Sequence, residues 1–244
     1  MKLASSGKTD IGTVRNLNED SIGMDPENGV FVAADGMGGH SAGEVASKLL
    51  VDTVMEYLRA AFKNGTAEKI GTLIWKGISF ANEKIHNLSG TDSDKMGMGT
   101  TAVVLVFLKK MYHVGWVGDS RLYLFRDGKL SQITRDHSAV QTLVDAGMIT
   151  EDEALRHPQR NVITRAVGVE SRIEVDLLSG KVKAEDIFLV CTDGVSGVLS
   201  SGELKKILTS SRNLNSISSM LIESANEKGG RDNSSAILIR VEGS

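Results

Sequence analysis

The sequence predicts an α+β fold. Two observations carry it. β-branched apolar runs recur in pairs joined by short polar turns, and long stretches with apolar residues three and four apart stand separate from them. No Ser/Pro-rich linker, charge block or internal repeat divides the 244 residues, and only Pro26 and Pro158 are proline, so one domain over 1–244 is expected.

In chain order, Lys2 to Ser6 reads as a strand and Arg15 to Ser21 as a polar, tightly charged segment that cannot be core. Pro26-Glu27-Asn28-Gly29 reads as a turn, which makes Ile22-Gly23-Met24 and Val30 to Ala34 the arms of a hairpin and brings Glu19 close to Asp35. The apolar run then ends in Asp35-Gly36-Met37-Gly38-Gly39-His40. From Ser41, the spacing of Val45, Ala46, Leu49, Leu50, Val54 and Leu58 predicts an amphipathic helix, and Thr66 to Leu88 predicts a second one beside it. Asp92 to Gly97 imitates the opening of a calcium loop. Met96 at a ligand position and Val103 in place of the closing glutamate exclude it.

Ala102 to Leu108 and Met111 to Val117 are predicted strands paired about Lys109-Lys110. Gly118-Asp119-Ser120-Arg121 follows, then a strand from Leu122 to Phe125 and a turn at Arg126 to Lys129. Asp136 to Arg165 has no long apolar strand and two short helical patterns, Ala139 to Ala146 and Glu151 to Leu155. Asp186 to Cys191 is a strand that Asp193-Gly194 should cap as Asp35-Gly36 caps its own. A helix through Leu214, Ile217, Leu221 and Ala225 and a strand from Ser234 to Val241 close the chain, with Asp232 at the strand edge.

Composition narrows the function classes. A hydrophobic content of 41% is ample for a core. The balance of 28 basic against 31 acidic residues argues against broad binding to nucleic acid or an anionic membrane, and 5% aromatics weakens any base-stacking platform. The lone Cys191 makes no internal disulfide, and within its apolar strand it reads as a small buried residue and not a nucleophile. The N-terminus has no apolar signal core, and the longest apolar stretch, Thr101 to Leu108, is far short of the ~20 residues a spanning helix needs. A soluble cytoplasmic monomer is expected.

The Asp35 unit alone has three readings. A dinucleotide fingerprint fits badly, since Ser41 stands where the third glycine belongs and Asp35 would repel a pyrophosphate. A hard-cation site uses Asp35 and the Gly36 carbonyl as oxygen ligands. The plain reading is a tight turn with a solvated aspartate. An aspartate beside glycine or asparagine at a strand edge recurs at Asp119, Asp193 and Asp232, which turns the balance away from isolated turns.

Arg15-Asn16-Leu17-Asn18-Glu19-Asp20, Asp35-Gly36-Met37-Gly38-Gly39, Gly99-Thr100-Thr101, Gly118-Asp119-Ser120-Arg121, Asn161 to Gly168, Thr192-Asp193-Gly194 and Asp232-Asn233 together resemble the type 2C metal-dependent protein serine/threonine phosphatases in their short bacterial form. The resemblance spans Arg15 to Asn233. It implies a four-layer αββα sandwich, two antiparallel sheets packed face to face with helix pairs on the outer faces. It also implies two Mg²⁺ or Mn²⁺ ions, Asp35 bridging both, Asp193 and Asp232 holding the first, and Glu19 and the Gly36 carbonyl the second. Asp20 supports that shell, and Asp119 shares a weaker third site with Asp193. Hydroxide between the metals would attack phosphoserine or phosphothreonine in line, with Arg15 clamping the phosphate. The implied partners are phosphorylated proteins and a Ser/Thr kinase.

The resemblance further likens 138–165 to a mobile flap, where Arg156, His157, Arg160 and Arg165 either receive phosphorylated segments or are merely solvated or locally paired. Met37 stands where some relatives carry a histidine proposed as general acid. His40, three residues on, is read equally as helix start or as catalytic. Other outcomes left open are a phosphatase of anti-sigma-antagonist-type regulatory partners and a metal-binding pseudophosphatase scaffold.

Overall fold

The computed structural model describes residues 1–38, 42–65, 67–154 and 156–243. The expectations for Gly39, His40 and Ser41, and the outer ends of two helical patterns at Thr66 and Leu155, lie outside the described residues. In order the elements are β1 (Lys2–Asp10), β2 (Asp20–Asp25), β3 (Val30–Met37), α1 (Ala42–Lys63), α2 (Ile70–Thr91), β4 (Gly99–Thr100), β5 (Ala102–Leu108), β6 (Met111–Val117), β7 (Arg121–Arg126), β8 (Lys129–Gln132), α3 (Ala139–Asp145), α4 (Glu151–Ala154), β9 (Asp176–Lys181), β10 (Ile187–Cys191), α5 (Asp193–Ser196), α6 (Ser201–Leu208), α7 (Leu214–Glu227) and β11 (Ser234–Glu242).

The strands form two antiparallel sheets. One has the order β1-β11-β10-β7-β8; the other runs β2-β3-β5-β6-β9, with β4 paired to the far end of β3. Strict two-residue alternation explains the layering, because these strands are buried on both faces. Phe31, Val103, Leu105 and Phe107 meet Leu122, Phe188, Ile237 and Ile239 between the sheets, with Phe107 and Phe188 edge to face at 5.0 Å. The other register, Val30, Val32, Val104 and Val106, packs under Leu50, Val54 and Leu58 of α1 and Ile74 and Ile78 of α2. On the opposite side Leu189, Cys191, Ala236 and Leu238 meet Leu204 and Leu208 of α6 and Ile217 and Leu221 of α7. The result is the expected αββα sandwich. Phe188 is fully enclosed, so truncating it to alanine should cost about 3 to 5 kcal/mol.

Two hairpin turns share one backbone geometry, which Asp127-Gly128 favours by residue type and Lys109-Lys110 does not. Lys109 and Lys110 both take positive φ, as do Asp127 and Gly128, the mirror-image turn geometry that matches strand twist.

Several elements differ from expectation. β1 runs to Asp10, since pairing with β11 holds every residue from Lys2 to Asp10 despite its polar sequence. β9 and α6 were not foreseen. Asp193-Gly194 does not repeat the Asp35-Gly36 geometry: Asp35 and Gly36 stay within β3, whereas Asp193 opens the single turn of α5. What the two pairs share is a close backbone approach that only glycine allows: a Cβ at Gly36 would run into the Gly43 carbonyl of α1, and one at Gly194 into the carbonyl of Asn233.

Candidate metal centre

One rim of the sandwich collects the ends of both sheets. Asp20 opens β2 and is the register partner of Asp35 near the end of β3. Across the interface Thr192, at the end of β10, donates its hydroxyl to Asp20 Oδ2 at 2.8 Å and accepts the amide of Ser235 on β11 at 3.0 Å. Asp35 itself is held by its main chain. Its amide donates to Thr101 Oγ1 at 2.9 Å, and its carbonyl accepts from the Thr101 amide at 2.8 Å and from Thr100 Oγ1 at 2.9 Å. The Gly99-Thr100-Thr101 motif is thus a brace for Asp35.

The 11–19 loop is secured from the far end of the chain. Asn233, buried just before β11, donates Nδ2 to the carbonyls of Ile11 and Leu17, both at 2.9 Å, and accepts the Glu19 amide at 2.8 Å. The Glu19 carbonyl in turn accepts the Gly36 amide at 3.0 Å, placing Glu19 and Gly36 side by side. Arg15 projects from this loop and grips Asp232 through Nη2 at 2.9 and 3.0 Å, with Nη1 3.9 Å from Glu19. Asp119 lies in the bend between β6 and β7. Asp35, Asp193, Asp20, Asp119, Asp232 and Glu19 therefore share one region, with Arg15 at its edge.

The electrostatics of that region are those of crowded anions. Enclosure in protein, then the charges of Asp20, Asp193 and Asp119, hold Asp35 well above the ordinary carboxylate range, and it shares a hydrogen bond with Asp193. Burial pushes Asp20 up to about 7 against the hydrogen bonds from Ser235 and Thr192, with Asp193 and Asp232 adding to the rise. Asp119 is pushed up to about 7 by burial, then by Asp193 and Asp136. Asp193 rises through burial and Asp232, and Glu19 rises chiefly through burial. Carboxylates so arranged must be protonated or share a cation.

The donor set fits a hard cation. Glu19 Oε1, Asp20 Oδ1 and Asp193 Oδ1 are buried without a hydrogen-bond partner among the described residues, which is costly for an acceptor unless something positive meets it. All the candidate side-chain ligands are oxygens, the ligand type of Mg²⁺ and Mn²⁺. Among the described residues no group of three or more His, Cys, Asp or Glu side chains is already arranged to hold a metal ion. Cys191 takes no part, its fully buried thiol pushed up to about 12.

Beside the rim, Met37 lines a groove of about 600 Å³ with Ile163, Arg165, Val169, Arg172 and Glu174. Arg165 is locally paired there, to Asp176 at 2.9 Å and Glu174 at 3.4 Å. Sequence reading passed over Asn233 and Thr192 as functional residues. Their work is on main-chain and carboxylate partners up to 222 positions away, which no local pattern reports.

The family model for protein phosphatase 2C matches residues 13–234. The serine/threonine phosphatase stp of Listeria welshimeri is 37% identical, the match covering 95% of this chain and 93% of that protein. The crystal structure of the Mycobacterium tuberculosis serine/threonine phosphatase PstP/Ppp superposes with a TM-score of 0.92 at 34% identity, covering 100% of both chains. The catalytic domain of PstP in complex with two manganese ions gives a TM-score of 0.89 at 33% identity, covering 99% of each.

Proposed function

The chain belongs to the protein phosphatase 2C family and is a serine/threonine phosphatase; from that premise we propose how its residues divide the work. The substrates are phosphoserine and phosphothreonine monoesters in proteins, and the enzyme opposes a Ser/Thr kinase. Asp35 would be shared by two Mg²⁺ or Mn²⁺ ions, with Asp193 and Asp232 holding the first, Glu19 and the Gly36 carbonyl the second, and Asp20 supporting them. Asp119 and Asp193 share a weaker third site. Residues 138–165 act as a flap over the substrate.

When bound, the metal pair supplies Lewis-acid charge and hydroxide near neutral pH as the attacking nucleophile. The chain contributes position and charge. Arg15, half-exposed at the rim, meets the phosphate with its planar fork, exchanging part of its pairing with Asp232 for the phosphate oxygens. Thr100 and Thr101 keep Asp35 from drifting, and Thr192 keeps Asp20 turned inward. Met37 has no proton to give, so the proton for the leaving oxygen has another source, His40 or water at the site.

The observation that carries the reading is the set of buried oxygens of Glu19, Asp20 and Asp193 that have no hydrogen-bond partner among the described residues, beside Arg15. The test is hydrolysis of a phosphothreonine peptide by purified protein. Chelation should abolish turnover and Mn²⁺ restore it, while Asp35→Asn and Asp193→Asn each lose at least ~10²-fold. Full activity of both variants at ordinary metal concentration would sink the ligand assignment.

A further inference from the structure

The Asp136-His137-Ser138 motif is not used by the reaction just described. Asp136 is occupied structurally, receiving Nε of Arg121 at 3.0 Å and Nη2 at 2.6 Å. His137 is placed differently. Its ring is buried and stacks on Trp116 with the planes 15° apart and the centroids 6.2 Å apart.

One side of His137 holds the corner that carries Asp119. The Gly118 amide donates to His137 Nδ1 at 3.1 Å, and the His137 amide donates back to the Gly118 carbonyl at 2.9 Å. Gly118 has a φ of +98°, so that corner has a backbone few residues adopt, and a reciprocal pair of bonds fixes it. Since Nδ1 accepts, the ring proton of the neutral imidazole sits on Nε2. Burial favours that neutral form.

The other side holds the excursion between Ser138 and Ile163. Those two residues bridge at its neck. The Thr164 amide donates to the His137 carbonyl and the Ala139 amide to the Val162 carbonyl, both at 2.8 Å. Nε2 lies 3.4 Å from Asp176 Oδ2 and 3.5 Å from Arg165 Nη1, and Asp176 and Arg165 are themselves paired. The α3 segment of the excursion buries no residue and is tied to the body through this neck and through the ion pair of Asp145 with Arg135.

We propose that His137 is a positioning residue that couples the seating of the 138–165 excursion to the Gly118-Asp119 corner, and so sets the Asp119 carboxylate. The proposal rests on the placement of Asp119 in the phosphatase site. A chain segment settling on substrate would press through Arg165, Asp176 and the neck onto one ring. That ring is bonded directly to the residue before Asp119.

Two substitutions separate the faces of the ring. His137→Asn keeps an acceptor where Nδ1 stands but loses reach to Asp176. His137→Gln reaches toward Asp176 but gives up the Gly118 bond. In metal-free protein, amide exchange at Gly118 should quicken about fivefold in His137→Gln, the worth of one neutral hydrogen bond, and stay at the wild-type rate in His137→Asn. With Mn²⁺ and phosphopeptide, His137→Gln should lower kcat at nearly constant KM, while His137→Asn mainly raises KM.

A uniform rise in exchange across the sheets in both variants, with melting temperature falling alike, would make His137 a packing residue and overturn the proposal. Wild-type exchange at Gly118 in both would overturn it as well. If wild-type protein fails to hydrolyse phosphopeptide, the phosphatase assignment falls, while the exchange pattern still decides whether His137 holds the corner.

Discussion

Asp20 and Asp35 face each other as register partners on β2 and β3, and both are held above the ordinary carboxylate range. A sheet does not place two acids opposite one another for stability, since like charges in register are destabilising. The strain is local to the rim. Two residues further along the same ladder, Ile22 and Ala33 are paired apolar residues. The acids are therefore a cost that the surrounding core offsets, and a bound cation would relieve it.

That cost should be visible as a pH dependence of the metal-free protein. A carboxyl with a raised folded pKa holds more protons in the folded than in the unfolded state, so stability falls as pH rises between the two values. For Asp20 and Asp119 the window runs from the unfolded value of ~3.9 to about 7. Metal-free protein should melt at lower temperature at pH 8 than at pH 5. Saturation with Mn²⁺ should flatten or reverse the slope, because the cation takes the place of the protons. Equal slopes with and without Mn²⁺ would separate these acids from cation binding.

Much of this site was legible because an apolar run ending in aspartate is a strong local pattern. β3, β6 and β10 were found that way, and the Lys109-Lys110 turn set the pairing of β5 with β6. β9 escaped because it pairs on one side only, exposes Leu177 and Leu178 and carries Gly180, so it lacks the alternation of its neighbours. The α6 helix had a readable start: Ser200 and Glu203 form a reciprocal capping box. The polar residues of β1 were uninformative alone, since its strand state comes from β11, more than 220 positions on.

Asn233 illustrates what stayed hidden, and its role can be tested directly. Asn233→Asp would turn the two N–H donors into an oxygen facing the carbonyls of Ile11 and Leu17. Leaving those groups unmet should cost roughly 2 to 5 kcal/mol in urea unfolding. Because the same bonds fix the loop that bears Arg15 and Glu19, KM for a phosphopeptide should rise with it. An unchanged urea midpoint would remove Asn233 from this account.

Arg15 is expected to act on substrate binding. Arg15→Ala should raise KM for phosphopeptides, with any fall in kcat reporting an additional transition-state contact. Arg15→Lys should restore only part of the loss, since an ammonium is a point charge without the planar fork that a guanidinium can offer to two phosphate oxygens. Unchanged kinetics in Arg15→Ala would make its pairing with Asp232 a surface ion pair and nothing more.

Asp119 tests the weakest part of the metal assignment. It sits in a bend outside the strand ladders, close enough to Asp193 for that charge to raise its pKa, and its surroundings offer fewer acids than the Asp35 region. Fewer protein ligands leave more water on an ion and weaken its hold. Asp119→Ala should therefore keep two tight Mn²⁺ binding steps in calorimetric titration, lose a weaker third, and lose much of its phosphopeptide turnover. Removing one of the crowded acids should also raise the melting temperature of the metal-free protein at pH 8, since the charge opposing Asp193 is gone. A structural Asp119 predicts the reverse, with melting temperature and occupancy of the tight pair falling together. If the variant keeps every binding step and full turnover, Asp119 has no part in a metal site and only the Asp35 centre stands.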